Sequence, residues 1–143
     1  MNSTMFYGNT IEDTRQMFYT SWLKYLQKKP LLPLEEQIAA VILEHPEYHA
    51  LLEKKPGDMP FFPELGQSNP FLHLGLHLAI RDQIATDRPQ GIKDIFQKLQ
   101  IRYTDFHDLE HKLMELLAEC LWQAQRLQQM PDEIAFLQAC SAL

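Results

Sequence analysis

Nine prolines against five glycines divide this 143-residue chain into short stretches, each of which has to find its structure between two breaks. Proline lacks a backbone donor and holds φ near its helical value, so it opens a helix or ends one and rarely occupies the interior. Between the prolines, apolar residues return at intervals of three and four, the period of a helix with one buried face. Ile11, Met17, Phe18, Trp22, Leu23 and Leu26 predict a helix over Thr10–Lys29, closed by Pro30 and Pro33. Ile38, Val41 and Ile42 form the stripe of a second, from Pro33 to about Glu44. His45 precedes Pro46, and a residue before proline avoids the α region, so the helix breaks there. A short helix resumes over Pro46–Lys54.

Residues 55–68 carry three prolines and two glycines and read as one long irregular loop, with Phe61 and Phe62 inside it. Asn69 and Pro70 then give a cap and a first-turn proline. The helix they open, to about Thr86, is apolar nearly all round and is predicted to be buried. Asp87–Gly91 is a turn. Further helices are predicted over Ile92–Gln100, Thr104–Gln128 and Pro131–Ala142. Asp132 and Glu133 lie at the end of the last helix that favours negative charge. The expected fold is all-α: a single domain over 1–143, built as a compact helical bundle of about five or six helices with the irregular loop at 55–68. At this length folding buries roughly 68–70% of the unfolded chain's surface, enough for a core without disulfides.

The charge excludes one class of partner. A net charge of −6 with no basic run longer than Lys28-Lys29 gives no counterion-displacing surface, so no nucleic acid is expected. No membrane association is expected either, because the longest mostly apolar stretch, Pro70–Ile80, holds two histidines and is far below a membrane span. The N-terminal residues show neither a basic nor an apolar signal region. Cys120 and Cys140 are not spaced as a metal or redox motif, and they fit reduced thiols in a cytoplasmic protein.

All six histidines fall at the i,i+4 spacing: His45/His49, His73/His77 and His107/His111. Random placement would give about 0.2 such pairs, and this spacing sets two rings side by side on a helix. Two imidazoles one turn apart can chelate a divalent ion, and facing helices of a bundle can complete the shell. His73 and His77 lie on the helix predicted to be buried, where neutral rings need hydrogen-bond partners or a metal. His107 and His111 sit at the edge of an apolar arc through Phe106, Leu109, Leu113, Leu116, Leu117 and Leu121. Glu110 lies inside that arc, unlike Glu115 and Glu119, so it is the carboxylate to consider as a ligand or general base. Its other reading is an ion pair with an arginine from another helix. His45 and His49 need not share one face, since His45 stands at a break. Zn suits four nitrogens, whereas Fe or Mn is favoured when carboxylates join.

The segment His107-Asp-Leu-Glu110-His111 has the H-x-x-E-H form of one protease class, but little chain follows to supply that class's distant glutamate. No phosphate-binding or dinucleotide loop and no activated serine or cysteine is present, so no reaction can be named. His45-Pro-Glu-Tyr-His49, Asn69-Pro-Phe-Leu-His73-Leu-Gly-Leu-His77 and His107-Asp-Leu-Glu-His111, together with Met114-Glu115 and Trp122-Gln-Ala-Gln-Arg126, resemble the bacterial family of unknown function DUF1841 across nearly the whole chain. The resemblance implies a bacterial cytoplasmic origin and a shared histidine pattern, and supplies no reaction. Two readings remain open. One is a histidine-rich metal-binding protein with His45, His49, His73, His77, His107, His111 and Glu110 as candidate ligands. The other is an interaction module whose histidines are structural. A homodimer through Phe18, Tyr19, Trp22 and Tyr25 is compatible with both.

Overall fold

The computed structural model describes residues 11–53 and 69–143, with side chains from Arg15 onward. Helices account for the regular structure of these residues, as the sequence predicts, in the order α1 (Ile11–Leu26), α2 (Pro33–Leu43), a 3-10 turn (Pro46–Tyr48), α3 (His49–Leu52), α4 (Pro70–Thr86), α5 (Ile92–Arg102), α6 (Phe106–Leu127) and α7 (Glu133–Ser141). No strand occurs among the described residues. Seven α-helices lie among the described residues, close to the five or six expected, and the short helix predicted after Pro46 is present, opening as a 3-10 turn. The predicted loop at 55–68 lies outside the described residues. Backbone contacts group the chain into two units, Met1–Leu78 and Ala79–Leu143.

The first unit is organised by the periodicity of α1 and α2. Phe18, Tyr19 and Trp22 from α1 meet Ile38, Val41 and Ile42 from α2, with Leu52 of α3 and Leu74 and Leu78 of α4 completing the core. Each such side chain contributes roughly 1.5–3 kcal/mol by leaving water. Phe71 of α4 packs at 5.9 Å from the Phe18 ring and 5.8 Å from that of Tyr19. The aromatics of α1 are therefore core residues, apart from Tyr25, which stacks on Trp22 at 5.2 Å and is 38% exposed. α1 ends three residues earlier than expected, at Leu26, because Lys28 turns into the left-handed region at φ 58°.

In the second unit α6 packs on α7, and α5 packs against both. Ile92, Phe96 and Leu99 of α5, Leu109, Leu113, Met114 and Leu117 of α6, and Phe136 and Cys140 of α7 are buried. Gly91 leads into α5 at φ 107°, a conformation a side chain would strain. Asp105 caps α6 by accepting from the backbone N–H groups of His107 and Asp108. Asp132 caps α7 by accepting from Ala135, so that helix begins at Glu133 and not at Pro131.

Two expectations about burial are corrected. Leu72 is 58% exposed, so the first turns of α4 are not apolar-covered all round. Phe106 and Leu121, at the ends of the apolar arc of α6, are 54% and 40% exposed. That arc is buried only over its middle, where α5 and α7 reach it. No described helix is long and apolar enough to cross a membrane.

Candidate metal centre

In the first unit the end of α2 and the first half of α4 bring three histidines together. His45 follows the last turn of α2, and the break before Pro46 turns its ring back over that helix. Its Nδ1 lies 2.8 Å from the Val41 carbonyl oxygen. A carbonyl only accepts, so in the neutral ring Nδ1 carries the proton and Nε2 keeps the lone pair. Such an anchor is how a ligating histidine is usually oriented from behind. The His45 ring is 4.6 Å from the His77 ring and 5.0 Å from that of His73. Tyr48 stacks on His45 at 5.5 Å, almost parallel.

His73 and His77 share one face of α4, and their Nε2 atoms are 3.2 Å apart. Two nitrogens bound to one tetrahedral zinc at bonds of about 2.0–2.1 Å stand about 3.3 Å from each other, so this separation fits chelation without a change of rotamer. In the neutral pair one ring donates to the other. His77 is fully buried, as is His45. His49 points elsewhere: its Nε2 donates to the Ile42 carbonyl oxygen at 2.8 Å, and its ring lies 4.5 Å from Trp22. The two members of the first histidine pair thus part company, as the break at His45 suggests.

In the second unit His107 and His111 lie one turn apart near the start of α6, with ring centroids 4.1 Å apart. His107 is exposed and His111 half-buried. Glu110 between them is buried, and Arg81 of α4 holds it. Arg81 donates from Nε to both carboxylate oxygens, at 3.1 and 3.0 Å, and from Nη2 to Oε1 at 2.9 Å. Of the two sequence readings of Glu110, an arginine partner from another helix is the one present. Arg81 and Tyr48 were missed as neighbours of the histidines. The signal for Arg81 was a lone arginine on an otherwise apolar stretch of α4, the counterpart of a lone glutamate in the arc of α6.

The cysteines stand apart from these groups. Cys120 lies 3.8 Å from the Asp132 carbonyl oxygen and lines an open, mainly apolar cleft of about 300 Å³ between α6 and α7. Burial pushes the Cys140 thiol up to about 12, so it is no nucleophile.

No curated protein and no solved structure matches the chain. A family does: residues 10–142, which include every histidine and the Arg81–Glu110 pair, match DUF1841, described as a domain of unknown function, and the chain belongs to that family.

Proposed function

We propose that this protein binds one divalent transition-metal ion through His45, His73 and His77, the three histidines that the first unit brings together. The observation that carries the proposal is the convergence of three imidazoles, the His45 ring lying 4.6 Å from that of His77 and 5.0 Å from that of His73. The Val41 carbonyl oxygen, 2.8 Å from Nδ1, orients the buried His45 ring from behind. His73 and His77 support it as a chelating pair, since their Nε2 atoms lie 3.2 Å apart. A buried imidazole set of this kind suits zinc and its neighbours in the transition series. On this reading the protein works in the reducing cytoplasm of a bacterium, where Cys120 and Cys140 stay as thiols.

The test is elemental analysis of untagged protein, beside a His77→Ala variant and chelator-treated wild type. About one equivalent of metal in the wild type, lost in the variant while helix content is retained, is the expected result. Wild-type protein that takes up no Zn²⁺, Fe²⁺ or Mn²⁺ after chelator treatment and keeps its fold would leave the histidines as hydrogen-bonding groups of the core.

A further inference from the structure

The cleft between α6 and α7 lies within the second unit, and no histidine lines it. Its volume of about 300 Å³ is roughly twice the 150 Å³ that suffices to hold benzene, so an apolar body of roughly eight to twelve carbon atoms fills it. Leu116, Leu127, Met130, Phe136 and Ala139 give it apolar walls. Leu127 is 57% exposed and Met130 86%, so these two walls stand in water until something covers them. The charged groups of the cleft have one sign. Glu119 and Asp132 line it, and no lysine or arginine does. Each carboxylate has one oxygen engaged within the chain: Glu119 Oε2 accepts from Gln123 Nε2 at 2.9 Å, and Asp132 Oδ1 from the Ala135 backbone N–H at 3.0 Å. No ion pair neutralises either acid among the described residues. Arg126, the single basic residue of 113–143, lies over the Trp122 ring at 5.2 Å and outside the lining. The negative field reaches into the cleft: burial is the main cause that raises the Cys120 thiol, and the charges of Asp132 and Glu133 add to it.

From this pairing of apolar walls with uncompensated negative charge we infer that the cleft binds a small organic cation, an ammonium group carried on an apolar body of roughly eight to twelve carbon atoms. The body displaces water from the walls, which is the driving force. The ammonium, costly to bury, stays at the open side with the exposed Glu119 and Asp132. A carboxylate on the same body meets two like charges and is rejected. This site is independent of the metal-binding reading.

The experiment is calorimetric titration of the full chain at neutral pH with four probes: n-octylammonium, n-octanoate, n-octanol and n-butylammonium. Alkylation of Cys120, followed by intact-protein mass in a Cys140→Ser background, reports on occupancy of the cleft itself. Octylammonium is expected to bind about tenfold or more tighter than octanoate, with octanol between them. Butylammonium should bind more than about tenfold weaker than octylammonium, since each buried methylene is worth roughly fourfold. Saturating octylammonium should slow Cys120 alkylation by about tenfold or more, because a filled cleft shields the thiol. Glu119→Gln, at an exposed position, should weaken octylammonium by about two- to fivefold and leave octanol unchanged. Ala135→Trp, also exposed, fills the cleft and should abolish binding of all four probes. Octanoate binding as tightly as octylammonium overturns the inference, as does octylammonium binding that leaves Cys120 alkylation unchanged or persists in folded Ala135→Trp. Absence of both heat and protection with octylammonium in the wild type overturns it outright. Should Ala135→Trp not fold, as judged by circular dichroism, the probe comparison and the Cys120 protection decide.

Discussion

Removing Arg81 should cost more stability than removing the charge of Glu110, although the two form one ion pair. The reason is that the pair is unequally buried: 33% of the Arg81 side chain meets solvent, against 8% of Glu110. Breaking a buried pair costs about 3–5 kcal/mol because a charge is left in a dry place. An exposed pair contributes only about 0.2–1 kcal/mol, since water screens both partners. Arg81→Ala leaves the carboxylate where water reaches it poorly, and the partial exposure of the lost guanidinium brings the expected cost down to about 2–3 kcal/mol. Glu110→Gln leaves a guanidinium that can turn outward and an amide that can still accept a bond, so about 1 kcal/mol is expected. Urea unfolding of metal-free protein, followed by circular dichroism with a common m-value, measures both. The double variant then gives the coupling, expected at about 1–2 kcal/mol. Equal costs for the two single variants, or a cost below about 0.5 kcal/mol for Arg81→Ala, would refute the argument from unequal burial.

Three further outcomes are expected. Zn²⁺ at a hundredfold excess over its dissociation constant should stabilise the wild type by about 2.7 kcal/mol, and His77→Ala should show no such gain; an equal gain in both would remove His77 from the site. The Glu35 carboxyl is held below its ordinary value by the Leu32 backbone N–H first and by Lys24 second. A folded-state value below the unfolded one gives stability that is present above the unfolded value and lost as pH falls through the folded value. Glu35→Gln should thus trail the wild type near neutral pH and match it in acid, and a gap that widens on acidification would contradict the assignment. Burial raises the Cys140 thiol further than that of half-buried Cys120, so a thiol-alkylating reagent should modify Cys120 first, as followed by intact-protein mass in Cys120→Ser and Cys140→Ser variants. Faster labelling at Cys140 would show that α7 opens readily.

Where the sequence was legible, a local cause was at work. Asn69 before Pro70 marks the start of α4, and in the structure its side chain accepts from the N–H groups of Phe71 and Leu72. A glutamate in an apolar arc announces a charged partner, and Glu110 has one. The identity of that partner was not legible, because it depends on which turn of α4 comes beside α6, and periodicity carries no information about helix order. The extent of burial along α6 escaped for the same reason: Phe106 and Leu121 belong to the stripe by spacing, but the neighbouring helices do not cover them. His45 was read as a residue ending a helix. That reading holds for its backbone, while its ring's return to the Val41 carbonyl depends on the local geometry before Pro46 and on no pattern of residue types.

The two carbonyls that receive these imidazoles, Val41 and Ile42, belong to the last turn of α2, where a helix runs out of its own donors. Their consequence is chemical selection in the absence of any ion. Val41 makes His45 a ring with its proton on Nδ1, while Ile42 makes His49 the opposite tautomer, with its proton on Nε2. Two identical side chains four positions apart thereby meet the backbone through different ring nitrogens, Nδ1 in His45 and Nε2 in His49. Nitrogen magnetic resonance would register the two as distinct species in the metal-free protein. The winding of α2 to its final turn thus sets which ring nitrogen each of these two histidines turns to the backbone.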